Sequence, residues 1–145
     1  MKLQVASRIA IYAVLELAAN PEHPMSVAEI GEKCGASTHH LAKVLHALGR
    51  AGLVSSVRGA GGGYQFVGNA KRTTLLDVIG LFETIGPSPI KSVEPGEGTA
   101  AHLALREILN EIDEIAIATL SSITISTMLK MMHRAPDPEK VVQAL

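Results

Sequence analysis

Not one aspartate or glutamate occurs between Lys33 and Leu76, and the whole 145-residue chain holds a single cysteine, Cys34. One cysteine excludes an intrachain disulfide framework and any zinc or redox motif that needs two thiols, so a reducing, cytoplasmic setting is the natural reading. Long apolar runs are missing too: even Ile115 to Leu129 is interrupted by Thr and Ser, which leaves nothing to span a membrane. Met1 to Tyr12 lacks a compact apolar core and a small-residue cleavage site, and Lys2 and Arg8 are dispersed through it, so no export signal is expected. No Ser-His-Asp set, paired-carboxylate motif or nucleophile elbow is visible, and an enzyme reading has no residues to rest on.

What fills the acid-free stretch is positive charge. Lys33, Lys43, Arg50, Arg58, Lys71 and Arg72 give it a formal +6, against −2 for Met1 to Glu32 and −5 for Asp77 to Leu145, so the overall −1 conceals a cationic island. His39, His40 and His46 lie inside it. A concentrated positive field in a near-neutral protein favours a polyanion at one surface, and nucleic acid is the leading candidate. The length suits one domain with an appended helix, and 47% hydrophobic residues are enough to build its core.

Apolar spacing predicts a first helix over Leu3 to Ala19, stopped by Asn20-Pro21. Ser26 and Glu29 have capping-box spacing and open a second helix that ends at Gly35. Ser37 offers its oxygen to the free amides of a third helix, in which Leu41, Val44, Leu45 and Leu48 share one face. Leu53 to Val57 and Tyr64 to Val67 read as strands of a hairpin around the glycine-rich tip Arg58 to Gly63. Thr74 and Asp77 cap a fourth helix, expected over Leu75 to Ile85, and the prolines and glycines from Gly86 to Gly98 mark a loop. A long helix follows from about Ala100 to Leu120, then apolar sequence from Ile123 to Met132. The expected division is a DNA-binding unit over 1–85, a linker loop over 86–98, dimerisation helices over 99–133 and a tail over 134–145.

Two short helices joined at Cys34-Gly35-Ala36 and followed by a β-hairpin make a winged helix-turn-helix, so the fold class is mainly α with a small β-hairpin. Packing Ile30 and Cys34 on Leu41 and Val44 leaves Ser37, Thr38, His39, Lys43 and His46 on the outward face of the third helix, the part that enters a major groove. Lys43 suits phosphate or guanine, and Thr38 and His39 suit base edges. Arg58 at the base of the glycine hairpin suits a minor-groove or phosphate contact, with Gly59 and Gly61 letting the backbone approach the duplex. A solvated face, or a basic module docking an acidic protein partner, is the rival explanation. A nucleotide phosphate loop fits poorly, because Gly63 leads into a strand rather than a helix.

Ser26-Val-Ala-Glu-Ile-Gly, Ser37 to Leu41, Ala51-Gly-Leu-Val-Ser-Ser-Val-Arg-Gly-Ala-Gly-Gly-Gly-Tyr64 and Thr74-Leu-Leu-Asp-Val78 together resemble the Rrf2 family of winged-helix transcriptional regulators, of the IscR and NsrR kind. The resemblance runs from about Ile9 to Ile85. It implies a homodimer joined through the long C-terminal helix and bound to a pseudo-palindromic operator in double-stranded DNA. The third helix would lie in the major groove and the wing arginine, Arg58, in the minor groove. It also exposes a departure: the best-known members hold an iron-sulfur cluster on three cysteines ahead of the long helix, and Gly86 to His102 contains none. No such cofactor is expected, with only Cys34 available, and any effector is of unknown identity.

Several residues keep two readings. Glu94, Glu97 and His102 are either oxygen and nitrogen donors for a metal or ordinary loop polarity. Cys34 is either a lone thiol switch or a small buried hydrophobe. His39, His40 and His46 are spaced for DNA-facing or solvated roles better than for one metal-binding turn. Leu105, Ile108, Ile112 and Ile115 form a stripe that Leu109, Ala116 and Leu120 broaden, more apolar surface than one small domain needs. That is the expected dimerisation seam, although folding back on the chain's own core is the monomeric alternative. Met128, Met131 and Met132 read as packing residues.

Overall fold

The computed structural model describes residues 1–87 and 93–139; part of the expected linker, 88–92, and the end of the expected tail, 140–145, lie outside them. Six helices and one two-stranded antiparallel sheet follow the order α1 (Val5–Ala19), α2 (Val27–Cys34), α3 (Thr38–Arg50), β1 (Val54–Val57), β2 (Gly63–Phe66), α4 (Leu75–Ile79), α5 (Ala100–Ser122) and α6 (Ile125–Arg134).

Helix α1 is the spine of the core, packed against α2, α3, α4, α6 and β2. Its Ile9, Ala10, Ala13, Val14 and Leu17 meet Ile30 of α2 and Leu41, Val44, Leu45 and Leu48 of α3, all buried. Local capping explains where these helices begin. In α2 the Ser26 hydroxyl accepts the Glu29 amide while the Glu29 carboxylate accepts the Ser26 amide, and in α3 Ser37 accepts the His40 amide. Gly31 lies under the turn that joins α2 to α3: a Cβ there would stand 2.9 Å from the Ala36 carbonyl oxygen and 3.7 Å from the Leu41 side chain of α3.

Strands β1 and β2 pair Val54 with Phe66, Ser55 with Gln65, Ser56 with Tyr64 and Val57 with Gly63. The hairpin root is tied down by a further bridge, in which Met25 and Tyr64 exchange backbone hydrogen bonds at 2.9 and 2.7 Å. Gly63 is required there for space, since a Cβ would fall 2.2 Å from the Met25 carbonyl oxygen.

Helix α4 is much shorter than the expected Leu75 to Ile85 and ends after one turn and a half, at Ile79. Tertiary contacts override the helical pattern: the chain turns through Leu81 and Phe82, which carries Glu83 back to the first turn of α1. After the loop, α5 runs for 23 residues, about 35 Å at the helical rise, and buries none of them. The chain then doubles back at Thr124. Backbone hydrogen bonds from Leu75 to Ile123, from Ile125 to Thr73 and from Ser126 to Ala70 clamp this joint to the segment between β2 and α4. The fully buried Ile125 anchors α6 in the core.

Candidate nucleic-acid interface

Burial sorts α3 into two faces. Leu41, Val44, Leu45 and Leu48 point into the core, while Thr38, His39, Ala42, Lys43, His46 and Arg50 are exposed. Positions 39, 43, 46 and 50 recur at helical spacing and form one outward stripe directly opposite the buried one. Ser37 sits at the head of the helix as its N-cap and is itself exposed. Arg50 extends the stripe by one turn beyond the residues expected to form the site. Its spacing of four from His46 and eleven from His39 was available in the sequence and is the signal that finds it.

The wing stands beside this stripe. Arg58 opens the five-residue loop between β1 and β2 and is exposed, as are Gly59 and Gly61. Those two glycines have φ of 100° and 74°, so the tip needs left-handed backbone at both. This modifies the sequence-based reason for the glycines: Gly59 and Gly61 shape the tip and Gly63 seats its root. A groove of about 380 Å³ separates α3 from the wing, lined by His46, Gly49 and Arg50 on one side and Ser55, Ser56 and Tyr64 on the other. Arg50 brings a guanidinium and Ser55, Ser56 and Tyr64 bring hydroxyls to this lining, groups of the kind that donate to a sugar-phosphate strand. Ser55, Ser56 and Tyr64 had no sequence signal for this place, because only the tertiary packing of the hairpin beside α3 brings them to the groove.

Charge along the chain and charge on the surface differ at one residue. Lys33, at the start of the cationic island, is paired with Glu16 of α1 at 3.4 Å. Lys43, Arg50, Arg58, Lys71 and Arg72 make no ion pair among the described residues, so the free positive field belongs to α3, the wing and the turn after β2.

On the opposite arm, Leu105, Ile108, Ile112 and Ile115 are exposed along α5, Ile108 and Ile112 at 56% and 55%. Their three-four-three spacing is that of a helix-pair seam. Leu103 and Leu109 are exposed beside them, whereas Leu120 packs on the core. The stripe from Leu105 to Ile115 is thus not covered by the chain's own core. Met128 packs against the core as expected, but Met131 and Met132 are exposed.

Chain comparisons agree with this architecture. The sequence profile of the Rrf2 family, described as iron-dependent transcriptional regulator, matches residues 3–131. The chain belongs to the Rrf2 family. Among Rrf2 relatives, a Rhodopseudomonas palustris protein named as an HTH-type transcriptional regulator, BadM, is 48% identical over 132 residues, covering 91% of this chain and 83% of its own. The solved structure of CymR, titled the global cysteine regulator of B. subtilis, superposes with a TM-score of 0.74 at 28% identity, covering 90% of this chain and 98% of that one. That of T. potens IscR gives 0.68 at 26% identity, with coverage of 97% and 96%. The fold is the winged helix of Rrf2 regulators, and the chain is a transcriptional regulator of the helix-turn-helix class.

The family description raises iron, and the donors of this chain do not fit a cluster. Iron-sulfur clusters are held mainly by thiolates, and the only thiol, Cys34, sits at the end of α2. Burial pushes its pKa up, Glu16 beside it pushes the same way, and Lys33 pulls back. Among the described residues no three His, Cys, Asp or Glu side chains converge as metal ligands. His102 is turned inward, its side chain 9% exposed, with Nδ1 3.9 Å from Glu94, which makes it a brace for the loop before α5 rather than the solvated group expected. No described helix is long and apolar enough to cross a membrane.

Proposed function

We propose that this Rrf2 protein is a cytoplasmic, cluster-free homodimer that binds a pseudo-palindromic operator and represses transcription. The observation that carries the reading is the pairing of two unlike surfaces on one chain: a cationic stripe beside a glycine-tipped wing, and an apolar stripe left exposed along a long helix. The first surface matches duplex DNA in shape and charge. His39, Lys43 and His46, with Ser37 and Thr38 at the head of the helix, face the major groove; Arg58 with Gly59 and Gly61 meets the minor groove. The second surface, Leu105, Ile108, Ile112 and Ile115, has the chemistry of a two-fold helix pair. Joining two half-site readers multiplies affinity and reading length. Repression is the simpler output, since a clamp seated on a promoter blocks access without any further contact.

The test is selection of genomic fragments by protein purified without oxygen, followed by titration of the best fragment against random DNA across salt concentrations. The expected protein is colourless and free of stoichiometric iron. It should prefer a two-fold symmetric sequence by about 10³ or more, with a log-log salt slope that reports several phosphate contacts. Equal binding to all sequences, or capture of an acidic protein in place of DNA, would defeat the reading. Brown protein carrying iron and sulfide would defeat its cluster-free part.

A further inference from the structure

Between α1, the last turn of α2 and α6 lies a cavity of about 390 Å³ that the nucleic-acid interface does not use. Tyr12 and Leu15 form one wall and Met128 and Met132 the other, while Glu16, Lys33 and Cys34 close the remaining side. The volume falls in the range of small-molecule sites, roughly 300–1,000 Å³, which are likewise mostly apolar with a few polar groups. The two charges at its edge are bound to each other at 3.4 Å and cancel, so the cavity has no net attraction for an ion. Burial is the first cause of the raised Cys34 thiol pKa. Two thioethers give the opposite wall a soft surface that reshapes around irregular guests and favours aromatic edges. Tyr12 and Met132 at the mouth are 45% and 43% exposed, apolar surface that the rest of the chain leaves uncovered.

We propose that this cavity binds a small, neutral, apolar molecule and that the bound molecule is the signal of the regulator. The site stands on the cavity alone; its signalling role rests on the DNA-binding reading above. Lys33 and Cys34 are the last residues of α2, and only the tight turn of Gly35 and Ala36, whose carbonyl leaves Gly31 no room for a Cβ, separates them from Ser37, the N-cap of α3. A displacement of that turn therefore carries Ser37 and the head of the recognition helix with it. Across the cavity, Met128 and Met132 belong to α6, which packs on α1 and is joined to the long helix by the reversal at Thr124. A guest touches α1, α2 and α6 at once, and it shifts operator affinity by as much as it fits the DNA-bound and DNA-free forms differently.

N-phenyl-1-naphthylamine, an uncharged probe whose emission rises in apolar surroundings, tests this on the full chain. The expected result is saturable enhancement with one site per chain. Met132→Glu, which puts a carboxylate at the mouth, should weaken it at least about tenfold, and Tyr12→Glu at the opposite lip should do the same. Met131→Glu should leave it intact, because Met131 is 54% exposed and outside the lining. Saturating probe should change operator affinity of the unaltered protein by about fivefold or more and leave Met132→Glu unmoved. Equal probe binding by all four proteins, or equal loss in Met131→Glu, overturns the site. Saturable binding with unchanged operator affinity overturns the signalling role. A chain that binds no DNA with or without probe defeats the DNA-binding reading instead, and the titration still decides the cavity.

Discussion

Ser7, fully buried on α1, donates its hydroxyl to Oε2 of Glu83 at 2.5 Å. The same carboxylate oxygen accepts the Gln4 amide at 2.7 Å, and no local side chain caps that helix. A residue beyond α4 thus supplies the cap that the first turn of α1 lacks, and holds two distant parts of the winged domain together. Glu83→Ala should cost about 1–3 kcal/mol, because it strands a buried hydroxyl and a helix-end amide together. Ser7→Ala should cost less, since the Gln4 amide keeps its acceptor. Urea midpoints of the two variants check the order.

Arg58 stands exposed at the base of a loop whose backbone is set by Gly59 and Gly61. Arg58→Ala should weaken operator binding by at least about 1 kcal/mol while leaving folding and assembly untouched. Unchanged affinity in a gel-shift titration would remove Arg58 from the interface.

Lys43 and Arg50 lie on the same stripe of α3, but only Arg50 lines the groove facing Ser55 and Ser56. If Arg50 grips the strand that passes between helix and wing, Arg50→Ala should weaken specific and random DNA alike and reduce the salt slope by about 1. Lys43→Ala should behave the same way for a phosphate contact. A loss confined to one base position would make Lys43 a reader of sequence.

Ile112 is at the centre of the α5 seam. Ile112→Asp should place an unpaired carboxylate where two apolar helices meet and give monomers in sedimentation. Because Ile112 touches no buried core within the chain, the helical circular-dichroism signal should survive. High-affinity operator binding should disappear with the dimer. A dimeric Ile112→Asp protein would sink the seam.

Cys34 is held protonated by burial first and by Glu16 second. Its folded pKa is raised, so its contribution to stability is complete below the unfolded thiol pKa and is lost as pH rises through the folded one. Iodoacetamide should label Cys34 more slowly in the native chain than in urea at mildly alkaline pH, since the thiolate is the reacting form. Cys34→Ala should remove part of the fall in urea midpoint on going to strongly alkaline pH.

Helix starts were legible because capping is local: Ser26 with Glu29, Ser37, and Thr74 with Asp77 each cap the helix they precede. The outward face of α3 followed from spacing alone, and Arg50 obeys the same spacing. The extent of α4 was not legible, because its end depends on Glu83 reaching α1 across the fold. Nor was the loss of Lys33 from the free field, which requires Glu16 on another helix. The wing motif announced a turn, but only Met25 reveals why Gly63 must lack a side chain.

The joint at Thr124 is held to the segment from Ala70 to Leu75 by main-chain atoms. Short of proline at Leu75, Ile125 or Ser126, which would remove an N–H donor, no side-chain replacement deletes those bonds. In a dimer, the angle at this joint sets how far apart two recognition helices stand, and hence the spacing of the half-sites they read. On the proposed reading, changes on the surface of α3 would rewrite which bases are preferred, while the distance between the two sequences read would stay inherited with the backbone.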